Sequence, residues 1–517
     1  MRFDKLTCMI NNVLLFLMLC IGYFAPLALA AIDLWSQTVI HIISVFIAVL
    51  YLFKFMNKKT FTFDIPYWKY FLLWFVFYFI SYICAANKSA ARMDICNMIN
   101  GVFLFYCAVN IKNLISSTDD LLRWWGYVVF VIGVLVCYQL YTDYTSVEKQ
   151  ASMVNPNILA GYVLFWLPYW YGKIAEYMRI KNISGIIMAV TASVFITVSI
   201  VVTNSVTAWI ALALAFCFVY FICEKRKVMH IFNMKVTKYY TAVGILVISA
   251  LLCINSKIML SIYERICWAA VAIRMALDHP FLGIGPGGFA DAFVFFKRGN
   301  FLNTLYAHNI IFHMAAEIGI PGLIMFVWLT IKIIKSFIKK YSPEARLLII
   351  GYIAFLIKSL VDYSFSIPAN LFIFWIWTGL IVSILYPNSH VIRIPIISKT
   401  ALCINIIIIL LLIPGITDLF LFSRNIAKGK INVQEKQYTQ AEQRFTNASL
   451  KHPAYPEPYA ESAIMYFNRF NETGKIIFIE LALYYIEKSI KYNKYNLLYQ
   501  RARDDYYRQY QIHPMYR

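Results

Sequence analysis

Between positions 255 and 308 the chain leaves its apolar pattern for longer than a connector requires, and residues able to do chemistry gather there. Arg265 and Arg274 stand nine apart in a stretch of helical character, which Asp278-His279-Pro280 stops because proline disfavours helix at the residue before it. GIGPGGF follows at 283–289, then His308 and Asn309 at the start of an apolar run that carries Glu317. Arginine offers a permanent charge and a planar fork suited to phosphate or carboxylate. Histidine exchanges a proton near neutrality. The glycine cluster lets backbone approach a ligand or another strand of chain closely. It follows no strand and lacks a GK[ST] ending, so it fails as a nucleotide-binding loop. Outside this stretch, Lys88 and Arg92 lie in a short polar connection, and Asp362 ends an apolar run, where an ionisable group beside lipid is a candidate for function.

Each residue also has a plainer reading. At 100° per residue, Arg265 and Arg274 fall on opposite faces of a straight helix, and Arg274 has Asp278 within i, i+4 reach. Arg265 can snorkel to the interface, and His308 or Asp362 can cap a helix. Lys88 and Arg92 read as loop charges, Asn155 and Asn157 as helix caps, and His279 and His313 as a turn residue and a packed one. No carboxylate cluster or DxD-like pair is present to hold a metal, and the 11 cysteines form no CxxC pair, so neither metal nor cofactor is expected.

The elements that must position these groups are membrane helices. Of the 517 residues, 61% are hydrophobic and 14% charged, too apolar for one aqueous core. Apolar runs of about twenty residues predict an all-α, polytopic bundle of roughly 12–13 helices: 8–31, 36–55, 67–86, 94–111, 124–141, 157–172, 184–203, 205–222, 238–254, 309–331, 346–361, 370–386 and 400–421. The first is read as an uncleaved helix despite its ALAA sequence. The net charge of +21 sits mainly in short loops, which favours topology and anionic lipid over nucleic acid. If the runs alternate, Lys54, Lys58, Lys59, Lys173, Arg179, Lys181, Lys225–Lys238 and Lys332–Lys340 share the cytoplasmic side. The 255–308 loop, the 362–370 turn and everything after 422 are then extracytoplasmic, in a multi-pass protein of the cell membrane.

Two domains are expected: a membrane domain over 1–423 and an extracytoplasmic helical region over 424–517. In the second, Tyr438, Ala441, Phe445, Ala448, Pro453, Tyr459 and Ala460 fall where a helix–turn–helix repeat wants small or aromatic residues, and a second copy follows. Both look like tetratricopeptide units, or equally a helical hairpin cap.

Arg265-x-x-Trp268 leading into DHPFLGIGPGGF, then Ala307-His308-Asn309, then Glu317-x-Gly319-x-Pro321-Gly322 resembles the signature of the O-antigen ligase and polymerase superfamily in order and spacing. NPNILAGYVLFWLP at 155–168 and LVDYSFSIP at 360–368 are similar to two further family segments. Where the family often carries Ser-Arg-Gly-Ala, this chain reads Ser205-Val206-Thr207-Ala208.

The resemblance implies transfer of a glycan from an undecaprenyl-diphosphate carrier to a lipid-core sugar, another glycan or protein. Charge builds on the departing diphosphate as the glycosidic bond breaks, and cations must meet it. Arg265 and Arg274 are the expected clamp and His308 the expected base, with Asn309 and Glu317 orienting it and Asp362, Arg92 and Lys88 as further substrate contacts. A ligase is preferred to a polymerase or a protein O-oligosaccharyltransferase. The tail would dock an acceptor or a partner protein. A lipid-linked oligosaccharide transporter is the alternative of another class; it would show half-to-half repeats and mid-bilayer charges, and no such repeat is evident.

Overall fold

A computed structural model of the chain describes residues 2–55, 60–111, 118–143, 150–225, 256–340, 342–386, 391–395 and 399–512. The first helices are α1 (Arg2–Leu27), α2 (Leu34–Lys54), α3 (Trp68–Cys84), α4 (Lys88–Val109), α5 (Thr118–Gly126), α6 (Val128–Thr142), α7 (Pro156–Val163), α8 (Trp166–Arg179), α9 (Ile183–Val202) and α10 (Val206–Lys225). Then come α11 (Ser256–Asp278), α12 (Phe289–Phe296), α13 (Ile310–Lys339), α14 (Pro343–Ser359), α15 (Pro368–Leu385), α16 (Lys399–Leu410) and α17 (Leu412–Gln434). The tail forms α18 (Tyr438–Lys451), α19 (Glu457–Thr473), α20 (Ile476–Tyr492) and α21 (Leu497–Ile512). One antiparallel strand pair, β1 (Thr60–Asp64) with β2 (Val391–Pro395), ties the end of α2 to the end of α15, in register Thr60 to Pro395.

The protein is an all-α, multi-pass membrane protein. Helix occupies every apolar run expected from the sequence except 238–254, which lies outside the described residues together with Lys58, Lys59 and most of the 225–238 cationic stretch. Among the described residues, seven helices are long and apolar enough to cross a bilayer, and Trp68–Cys84 and Val206–Ile222 are shorter apolar helices.

The bundle closes around α15, 94% of whose apolar window is buried. It packs on α4 at backbone distance: Gly379 faces the Phe105 carbonyl, and Gly101 seats the Trp375 ring, so a side chain at either would strike its neighbour. Trp74, Trp375, Phe71 and Phe105 complete an aromatic core in offset contacts, with Trp74 and Trp375 centroids 5.9 Å apart. At the periphery, α16 and the start of α17 present Ile404, Ile407, Ile408, Leu411 and Leu412 outward, a face that lipid solvates.

The four tail helices pack in sequence as antiparallel hairpins. Ala441, Phe445, Ala463 and Tyr466 form a core with Ile479, Ala482 and Ile486. Polar contacts pin α4 to α17 and to the tail helices. Arg92 pairs with Asp418 at 3.1 Å and donates to the Tyr455 hydroxyl at 3.1 Å and the Gly415 carbonyl at 2.8 Å. Ser89 donates to Glu457, whose burial raises its carboxyl pKa.

Candidate functional site

The expected site assembles where the 279–289 loop is clamped against α13, and the glycines explain how. Gly319 sits inside α13 with φ 75° and ψ 172°, breaking the helix, and Pro321 restarts it without an N–H to satisfy. The break releases backbone groups that the loop takes up: Ile320 N–H donates to Pro280 O (2.8 Å), Ile284 N–H to Ala316 O (2.9 Å) and Gly285 N–H to Glu317 O (3.0 Å). Gly283 (φ 66°) lies against the Glu317 backbone, and Gly319 against the Phe281 carbonyl, so a Cβ at either falls well under 3.0 Å from backbone. The buried Glu317 side chain accepts from the Phe289 N–H at 3.1 Å, with the Gly287 N–H also on the carboxylate. Glu317-x-Gly319-x-Pro321-Gly322 and GIGPGGF are two halves of one latch.

The latch holds α11 beside the start of α13 and brings Arg265 to His308. His308 is framed by two rings: Trp268 at 4.3 Å between centroids, tilted 34°, and Tyr363 edge-on at 4.7 Å. Trp268 is itself fixed by its indole N–H to Leu302 O at 2.9 Å, and Tyr363 by stacking on Tyr306 at 4.9 Å. The His308 backbone has φ 52°, a left-handed conformation that costs a non-glycine residue about 1 kcal/mol. Arg265 donates to Ser261 one turn back and makes no ion pair among the described residues. Burial pushes its pKa down, with Glu264 opposing, but a guanidinium stays charged. Burial, then the positive charges of Arg265, His313 and Lys358, hold the His308 pKa at about 3, so its imidazole is neutral. Arg265 Nε and His308 Nδ1 are both buried without a hydrogen-bond partner.

Asn309 caps α13, its Oδ1 accepting from Ile311 N–H (2.9 Å) and Phe312 N–H (3.1 Å), and its Nδ2 donates to Leu360 O at 2.7 Å. That last bond draws in the end of α14, where Lys358 and Asp362 form an i, i+4 ion pair, 0% and 1% exposed. Asp362 accepts from the Ser364 N–H at 2.8 Å, and Lys358 donates to Ser364 Oγ at 3.3 Å. The same hydroxyl lies 3.3 Å from the Asn157 carbonyl, and Ser205 donates to Asn157 Oδ1 at 3.0 Å. The Ser205 turn is thus wired to the buried Lys358.

Of the residues singled out in the sequence, Arg265, His308, Asn309 and Asp362 share this site, and Glu317 supports it from behind the loop. Arg274 points elsewhere, toward Phe296 O at 3.4 Å, and no ion pair to Asp278 forms. Lys88 caps α3 by donating to Tyr82 O at 3.1 Å and to Ile83 O, and Arg92 is engaged with Asp418. Lys358, Trp268 and Tyr363 also belong to the site, though spacing alone gives them no role. For Lys358 the available signal is a lysine inside an apolar run four residues before Asp362. His313, expected to be merely packed, lies 3.5 Å from Glu317, next to a buried Tyr78–Asp94 hydrogen bond. Among the described residues, no group of three or more His, Cys, Asp or Glu is placed to hold a metal ion.

Residues 191–327 match the family model described as O-antigen ligase, a span that contains Arg265, Trp268, the glycine loop, His308 and Glu317. No curated protein matches the chain.

Proposed function

Because residues 191–327 match the family model described as O-antigen ligase, we propose that the chain is a metal-independent glycan transferase. It moves an oligo- or polysaccharide from an undecaprenyl-diphosphate carrier to an acceptor hydroxyl on the extracytoplasmic face. The lysine-rich loops, which fall on the other side of the alternating runs, support that orientation. One observation carries the chemistry: Arg265 Nε and His308 Nδ1 are two buried, unpaired nitrogens within electrostatic reach of each other. An unsatisfied buried polar group costs about 1–3 kcal/mol, and a donor's phosphate and an acceptor's hydroxyl would supply the partners that these two lack.

In the reaction, the acceptor oxygen attacks the anomeric carbon while the bond from that carbon to the diphosphate breaks. The bonding electrons leave on the diphosphate, and the acceptor proton passes to His308. Arg265 meets the charge that develops on the leaving group. Lys358 adds a second cation whose charge is felt at the imidazole. Before the donor binds, those cations keep His308 neutral and able to accept a proton. The arriving diphosphate offsets them, which raises the basicity of His308 when the acceptor needs it.

Reconstitution of the purified protein with an undecaprenyl-diphosphate glycan and candidate acceptors tests this. Arg265→Ala should lower the transfer rate about 10²- to 10³-fold. His308→Asn, a residue that tolerates the left-handed backbone, should lower it at least about 10²-fold. Equal product from wild type and both variants refutes the site. Glycolipid crossing the bilayer, with no product from any acceptor, establishes a transporter instead.

A further inference from the structure

The chain has a concave site that this mechanism does not use. A cavity of about 590 Å³ opens where the α3–α4 connection, the outer side of the 279–284 loop and the α20–α21 connection meet. Its volume is in the range of small-ligand sites. Lys88, Lys491 and Lys494 line it, together with Tyr492 and Tyr495, and no aspartate or glutamate does. Asp278, the last residue of α11, lies 3.1 Å from the imidazole of His279. The other side of that imidazole meets the Tyr495 hydroxyl at 2.7 Å, which fixes the wall.

Beside this cationic lining the surface turns apolar. Ile83 at the end of α3, Leu277 at the end of α11 and Phe281 are 56%, 70% and 74% exposed. Ile83 ends an apolar membrane helix, where an exposed apolar side chain belongs in hydrocarbon, and Lys88 just beyond it belongs at headgroup depth, the level at which Lys491 and Lys494 meet it across the cavity. An anion alone would use the lysines and leave the apolar shelf idle. An amphiphile with a phosphate headgroup uses both.

We propose that this cavity binds the phosphate headgroup of a membrane lipid, its acyl or prenyl chain lying along Ile83, Leu277 and Phe281. The site joins the tail to the rear of the glycine loop, so the lipid is a third component of that junction. Because two of the three lysines come from the tail, the membrane domain holds only part of the site.

The test uses the full-length protein in detergent, with lipid binding followed by native mass spectrometry. The probes are phosphatidylglycerol, undecaprenyl phosphate, uncharged diacylglycerol and inorganic phosphate. Lys491 and Lys494 are exposed, and the Lys491→Glu/Lys494→Glu variant should fold as wild type, checked by circular dichroism. It should bind the phosphate lipids about 25-fold more weakly, near fivefold per lysine, with Lys491→Arg/Lys494→Arg keeping the affinity. Preference for undecaprenyl phosphate over phosphatidylglycerol identifies the carrier as the source, and the reverse identifies bulk lipid; either supports the site. Unchanged binding in the glutamate variant overturns the proposal, as does diacylglycerol binding equally well. Inorganic phosphate binding as tightly as the lipids overturns the lipid assignment.

Discussion

Replacing Gly319 by alanine should unlatch the glycine loop without unfolding the bundle. At φ 75° and ψ 172°, Gly319 occupies backbone space that side chains almost never enter, and forcing alanine there costs about 1–3 kcal/mol. The new methyl would also overlap the Phe281 carbonyl, a backbone atom with nowhere to rotate. Relief comes from sliding the loop away, which gives up the Ile320 to Pro280 hydrogen bond, worth about 1 kcal/mol net. The sum, about 2–4 kcal/mol, falls on one local opening, and amide hydrogen exchange over 281–289 should quicken about thirtyfold to a thousandfold. Gly474 supplies the control: its φ of 65° is similarly left-handed, but nothing lies within 4 Å of its missing Cβ. Gly474→Ala therefore carries only the backbone strain, about 1–2 kcal/mol, and leaves the 281–289 exchange unchanged. If Gly319→Ala leaves that exchange as slow as Gly474→Ala does, the two motifs are not a latch.

Lys358→Met should destabilise the protein by about 3–5 kcal/mol because Asp362 is left buried and unpaired, and Lys358→Met/Asp362→Leu should recover most of it; thermal unfolding in detergent reads both. Transfer at limiting donor should stay level on the acid side down to about pH 5 as far as His308 is concerned, because a pKa held near 3 keeps the imidazole neutral above that value. At saturating donor the bound diphosphate raises that pKa, so the acid limb of kcat should lie at higher pH than that of kcat/KM. Coincident limbs near the ordinary histidine value refute the electrostatic account. Arg92→Ala strips Asp418 of a partner and cuts a tie between α4 and the tail, and limited proteolysis should then reach the 452–457 turn sooner than in wild type.

The membrane helices were legible because spanning hydrocarbon requires length and hydropathy, and both are written directly in composition. The interruptions were not. The runs at 124–141, 157–172 and 400–421 break at Tyr127, Phe165 and Leu411, each still in the right-handed helical region. Gly126 adjoins the first break and Pro168 and Pro414 fall three residues past the other two, but each sits within helix, so none of them reads as a boundary from sequence alone. The pairing of Thr60–Asp64 with Val391–Pro395 escapes a linear reading because two five-residue strands so far apart carry little pattern. At the site, motif spacing brought Arg265 and His308 to notice, but spacing cannot tell a helix cap from an orienting group. Asn309 caps α13 and ties it to Leu360, while Glu317 holds loop amides. Arg274 and Lys88 show the converse: a cation of the right type in the right segment whose contacts the fold directs to backbone carbonyls instead.

Asp291, on the short α12, receives Asn87 at 2.7 Å from the membrane domain and Asn493 at 2.9 Å from the tail, with Asn496 at 3.5 Å. The tail donors are translated 202 and 205 positions after the acid they serve. A ribosome that has already delivered every spanning helix to the bilayer must still make these asparagines before the carboxylate has its full set of hydrogen bonds. A chain that ended shortly before residue 493 would therefore leave Asp291 without both of its tail donors.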